Sequence, residues 1–128
     1  MKKTIAIAGI VIVFTCIILN QIFPLANQIE YFEVEKIKSI TIQNGESTVN
    51  YCDDFDIQSI SELIFMSEPT RKRSTHDMPI VPNYITLTIH LLENDSYTYY
   101  LYEVNSIWYV EQSYYGIYVI DQSIVPYI

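Results

Sequence analysis

The sequence predicts an α+β protein: an N-terminal transmembrane helix, then an antiparallel sheet of five or six strands with one helix packed across it. Three observations carry this expectation. Residues Thr4 to Phe23 form an uncharged, largely apolar run. The segment IQSISELIFMS spaces its apolar residues as one face of a helix. From Asn83 onward the chain alternates with a period of two, broken by short polar turns.

The run TIAIAGIVIVFTCIILNQIF follows Lys2 and Lys3. As a helix it would be roughly 24 Å long through Leu19, which suits a signal-peptide core, and roughly 30 Å through Phe23, which suits a short anchor. Signal cleavage needs small residues at alternate positions, and Pro24-Leu25-Ala26 meets that poorly. Lipidation would act on Cys16, but Phe14 and Thr15 before it are bulky and the apolar run continues beyond. Retention is therefore favoured, with cleavage and lipidation as the alternatives. Lys2 and Lys3 favour the cytoplasmic side. The expected layout is a membrane anchor (or signal peptide) and short linker over residues 1–26, and an extracytoplasmic α+β domain over residues 27–128. The expected location is the cell membrane, crossed once, with the C-terminal domain outside the cytoplasm.

The 128-residue chain has room for one domain. Beyond residue 26 it carries five basic and fifteen acidic residues, a formal charge of −10. Such a surface repels nucleic acid, whose binding needs a positive face to displace counterions. Cys52 is the sole cysteine beyond residue 26, so no internal disulfide is available to that part.

Taken in order, NQIEYFEVEK reads as a juxtamembrane spacer without an assignable structure. IKSITIQ and ESTVNY flank Asn44-Gly45, a strong hairpin signal because such turns need left-handed residues. Asp53, Asp54 and Asp56 suit the positive end of a helix that places Ile57, Ile60, Leu63 and Ile64 on one face and stops before Pro69. NYITLTIHLL, YTYYLYEV, IWYVEQ and YYGIYVIDQ then read as successive strands. Pairing Leu92 with Tyr97 and Val104 with Ile107 would set Ile89 opposite Tyr100, Leu87 opposite Tyr102, and Tyr102 opposite Tyr109 on the helix-covered face. Glu111 would continue that face beside Tyr100, while His90 would lie outside, near Tyr99 and Gln112. A carboxylate at the margin of an apolar face needs donors, and the basic loop RKRSTHDMP is the obvious supplier through Arg71 and Arg73.

In the same loop, Ser74, His76 and Asp77 invite a hydrolase reading. A working triad draws its members from separated parts of a fold, and no glycine stands nearby to form an oxyanion hole. Two histidines without paired spacing make a poor metal site, so no metal or cofactor is expected. Asp77 and Pro79 are more simply turn residues. Ten of the twelve tyrosines lie between Tyr84 and Tyr127. Most suit strands, but Tyr97, Tyr99 and Trp108 are expected on an open sheet face, where such side chains serve recognition.

The hairpin after IKSITIQNG, the Ser74-x-x-Asp77-x-Pro79 loop and the stretch WYVEQSYYGIYVID resemble a family of uncharacterised Gram-positive bacterial proteins. Its members have a short membrane anchor and one extracytoplasmic domain of unknown function. The likeness runs from about Glu35 onward, and the family pattern has proline where this chain has Ser113. The resemblance implies no activity and marks Ser74, Asp77, Glu111, Tyr114 and Gly116. The resulting expectation is a non-catalytic binding domain, with the membrane and a protein or peptide as partners. Its binding residues would be Arg71, Arg73, Ser74, Asp77, Tyr99, Trp108, Glu111, Tyr114 and Gly116. The alternatives are a small envelope hydrolase using Ser74 and His76, and an acidic inhibitor-like envelope protein.

Overall fold

The structure, a computed structural model, describes residues 2–128. Helix α1 runs over Lys2–Ile22, and its most apolar stretch has a mean hydropathy of 2.5. None of it is buried by the rest of the chain. It is long and apolar enough for a membrane span or a signal sequence.

The segment that reads as a spacer is packed against the sheet. Ile29 is only 3% exposed, and Phe32 and Val34 lie against the same core. Phe32 stacks at a tilt on Tyr97, with ring centroids 4.4 Å apart. A 3-10 turn at Val34–Lys36 then leads into the sheet.

Strand β1 (Ile37–Asn44) pairs with β2 (Ser47–Tyr51), and helix α2 (Asp54–Phe65) follows. The remaining strands are β3 (Glu68–Pro69), β4 (Ile85–Leu91), β5 (Ser96–Val104), β6 (Ile107–Gln112) and β7 (Gly116–Val119). They form one antiparallel sheet in the order β2-β1-β4-β5-β6-β7-β3. A 3-10 segment at Gln122–Tyr127 closes the chain and buries Ile124. The α+β class is as expected, with seven strands in place of five or six. The extra one, β3, has two residues, too few to leave a period, and its proline suits only an edge.

The turns explain where the expected pairing holds and where it does not. Asn105 and Ser106 are both left-handed (φ 51° and 65°), and Val104 pairs with Ile107 as expected. In the first hairpin Gly45 alone is left-handed (φ 61°) and Asn44 pairs with Ser47. The tight turn is therefore Gly45-Glu46, one residue later than expected. Between β4 and β5, the Leu91 N–H donates to the Asp95 carbonyl (2.8 Å) and Asn94 takes φ 67°. That three-residue loop sets Ile89 opposite Tyr97 and Leu87 opposite Tyr99. Against the expected pairing this is an odd shift, which turns one strand over relative to the other.

The consequence is a different division of faces. On the α2 side lie Leu87, Ile89, Tyr99, Leu101, Val110 and Tyr118, packed with Ile57, Ile60 and Ile64 of the helix. On the opposite side lie Tyr102, Tyr109 and Ile117, covered by Val81 and Tyr84. The path of the chain explains this cover. Helix α2 carries it from the β2 edge to β3 at the far edge, and the segment after Pro69 returns across the other face to β4 in the middle. Ser61, buried among the helix isoleucines, donates its hydroxyl to the Ile57 carbonyl at 2.6 Å.

Ile60 is fully buried and Gln58 is exposed on the same helix. Ile60→Ala should cost about 2–5 kcal/mol in chemical denaturation, and Gln58→Ala well under about 1 kcal/mol. Equal losses would show that α2 presents a different face to the sheet.

Candidate functional site

The returning segment is stitched to β6, β7 and the turn between them. The Thr70 N–H (3.1 Å) and hydroxyl (2.7 Å) both donate to the Ile117 carbonyl. Lys72 sets its ammonium 4.3 Å above the Tyr109 ring and donates to that phenol at 3.3 Å. Tyr109 stacks in turn on Tyr102, with centroids 5.8 Å apart.

Glu111 is the buried acid of this face, 5% exposed. The Ser74 hydroxyl donates to its Oε1 at 2.7 Å and the Tyr102 phenol to its Oε2 at 2.9 Å. Burial first, and then this hydrogen bond, push the Tyr102 phenol well above its ordinary range, so it remains a donor. Each carboxylate oxygen thus has a donor, which burial requires. The donors are hydroxyls and not the expected arginines. Strand pairing puts Glu111 on the face away from α2, beneath the returning segment, where Ser74 reaches it while Arg71 and Arg73 bond to the end of α1.

Ser74 Oγ also accepts the backbone N–H of Tyr114 at 3.1 Å. Tyr114 is left-handed (φ 63°), and the Tyr115 N–H donates to the Gln112 carbonyl at 3.0 Å. This is the pattern of a type II turn with a bulky residue where glycine or asparagine is usual, a conformation that costs about 1 kcal/mol or more. The ring of Tyr114 stands 65% exposed, and a hydrogen bond to Asp77 raises its phenol above the usual range. Ser113 occupies the preceding turn position, which favours proline. Its hydroxyl ties the turn to the loop by donating to the Asp77 carbonyl at 2.6 Å.

The arginines turn toward the end of α1. Arg71 donates to the Phe23 carbonyl (2.6 Å) and to Asn20 Oδ1 (3.0 Å), and Arg73 reaches the Ile22 carbonyl (3.4 Å). Cations suit a helix C-terminus, whose last carbonyls lack partners. Beside them the Ala26 N–H donates to the Thr70 carbonyl, and the Tyr118 phenol donates to the Asn27 carbonyl. Gly116 makes room for this crossing: a Cβ there would lie 2.6 Å from Ala26 Cβ. Its smallness serves the joint between helix and domain.

Three residues expected on an open face lie elsewhere, and the first, Tyr97, packs against the α2-side core beside Phe32. Tyr99 is fully buried in the α2-side core, its phenol without a partner, and Trp108 is half-buried against the same core. The odd shift in strand pairing moved Tyr99 inward. The expected neighbours of His90 move with it: the ring lies between Thr41 (3.1 Å) and Ser96 (2.9 Å), away from Tyr99. His76 Nδ1 pairs with Thr75 Oγ1, while the Ser74 hydroxyl is directed to Glu111. Among the described residues no group of three or more His, Cys, Asp or Glu could hold a metal ion. Lys72, Tyr102 and Tyr109 belong to the site and were not singled out by sequence. The signal for the tyrosines was present in the pairing of β5 with β6.

Fold and site together define a small α+β domain behind an apolar helix, its sheet wrapped on both faces by its own chain. Residues 25–119 match DUF5301, described as "Domain of unknown function (DUF5300)", and the chain belongs to that family. An NMR structure of a protein from Ruminococcus gnavus is similar to it, with 32% identity and a TM-score of 0.62, over 71% of this chain and 89% of that one. No curated protein matches the chain.

The contact between Ser74 and Glu111 predicts strong coupling. Ser74→Ala and Glu111→Gln should each destabilise the chain by about 1–3 kcal/mol, with the double variant well short of the sum. The cycle of Arg73→Gln with Glu111→Gln should be additive. Additivity for Ser74 and coupling for Arg73 would restore the arginine as the partner of Glu111.

Proposed function

We propose that this chain is a membrane-anchored, extracytoplasmic domain that works by binding and carries out no catalysis. The observation that carries the reading is α1: 21 residues, strongly apolar, none of them buried among the described residues. Such a surface needs an apolar surrounding, and a bilayer core supplies one. Lys2 and Lys3 at its start favour the cytoplasmic side and direct the domain outward. The docked Ala26–Phe32 segment supports retention, because it makes the chain just after the helix part of the domain's packing. Binding draws support from the exposed Tyr114, held in a strained turn against the loop of Ser74 and Asp77. Strain at an exposed aromatic is a feature of recognition sites. A protein or peptide partner suits a domain of charge −10 better than nucleic acid does.

The rival reading is a hydrolase. It draws on Ser74 alone, whose hydroxyl lies 2.7 Å from a carboxylate. Protease added to intact protoplasts should digest residues beyond 27 and spare a short fragment containing α1. Complete protection would contradict the outward placement, and a mature form released to the medium would contradict retention. In the same preparation a serine-reactive fluorophosphonate should leave the chain unlabelled. Labelling abolished by Ser74→Ala would replace binding with the hydrolase.

A further inference from the structure

On the α2 side of the molecule, away from the Ser74–Glu111 corner, lies a groove of about 740 Å³. Leu63 and Met66 from the end of α2 and Ile107 and Trp108 from β6 provide its apolar lining. Met66 is 78% exposed and Ile107 44%, so neither is committed to the core. Glu68 of β3 and Val119 of β7 also line it, so the groove opens at the edge of the sheet, where an extended segment has access.

The charges around the groove have one sign. Glu62, Glu68 and Asp121 line it, and no lysine, arginine or histidine does so among the described residues. Glu62 accepts from the Gln58 amide, and Asp121 from the hydroxyl and amide of Ser123, which hold its carboxyl below the ordinary range. Neither partner is a cation. Among the described residues the one ion pair is Lys36–Glu33, which takes no part in the groove. Three carboxylates around an apolar slot concentrate the field of an already acidic domain.

We infer that this groove is the docking site for a protein segment that carries lysine or arginine next to aliphatic side chains. The inference rests on the binding reading above and adds a second surface, apart from the Tyr114 corner, with a stated partner class. The aliphatic side chain would fill the space between Met66 and Trp108, where methionine and tryptophan are favoured interface residues. The cation would meet the carboxylates at the rim, with the Trp108 ring as a second attraction.

Trp108 is the only tryptophan in the chain, so its emission reports directly on the groove. The full chain, in nanodiscs of zwitterionic lipid, is titrated with the peptide Lys-Leu-Lys-Leu-Lys and with Glu-Leu-Glu-Leu-Glu. The lysine peptide should shift the emission saturably and the glutamate peptide should not. Combining Glu62→Gln with Glu68→Gln should weaken the response about tenfold, and Met66→Lys should also weaken it. Glu93→Gln, in the turn between β4 and β5, should leave it unchanged. No saturable shift, equal shifts with both peptides, or an undiminished shift in the double variant would overturn the proposal. So would a shift that appears without peptide as more chains are loaded per disc, since a second copy would then be the occupant. Emission is read whether or not the chain stays with the disc: release contradicts the anchor, and the peptide response alone decides the groove.

Discussion

A carboxylate beneath an aromatic sheet face needs donors before that face can close, and Glu111 is where the constraint falls. Ser74 from the returning segment and Tyr102 from β5 supply one hydroxyl each. The first of these bonds joins parts of the chain thirty-seven residues apart. It also fixes the turn after β6, because the same serine oxygen accepts the Tyr114 amide. Lys72 on Tyr109 and Thr70 on Ile117 extend the seam along β6 and β7. The outer face is therefore closed by polar contacts above aromatic rings, while the inner face is closed by isoleucine packing from α2.

The same segment joins the domain to α1. Thr70 holds Ala26, Gly116 gives Ala26 room, and Arg71 takes the carbonyl of Phe23. The connection between helix and domain is tied to the returning segment by these contacts. In the proposed setting the membrane helix would then hold the domain in one orientation, with the acidic groove and the Tyr114 corner at separate positions around it.

Much of the fold could be read in the sequence because it rested on strong local signals. The apolar run, the helical spacing of Ile57, Ile60 and Ile64, and Asn105-Ser106 each correspond to an element found where expected. The division of the sheet faces could not be read, because it depended on one turn. Asn94 can be left-handed, so a three-residue loop was open to it, and an odd change in loop register turns Tyr99 inward and Glu111 outward. The donors to Glu111 could not be read either, since Arg71 and Ser74 are close in sequence and nothing in the sequence shows that Arg71 is taken by the Phe23 carbonyl at the end of α1. The docked spacer was also missed: Ile29 and Phe32 sit among charged residues that hide their periodicity.

The central claim, that Glu111 holds the returning segment on the sheet, is tested most directly by amide hydrogen exchange on Glu111→Gln. The amides of Thr70, Lys72 and Tyr114 are hydrogen-bonded within the seam, and that of Ile57 within α2. Glu111→Gln should sharply reduce protection at Thr70, Lys72 and Tyr114 while Ile57 stays protected, because the seam opens and the α2 core does not. Unchanged protection in the seam, or equal loss at all four amides, would contradict the claim.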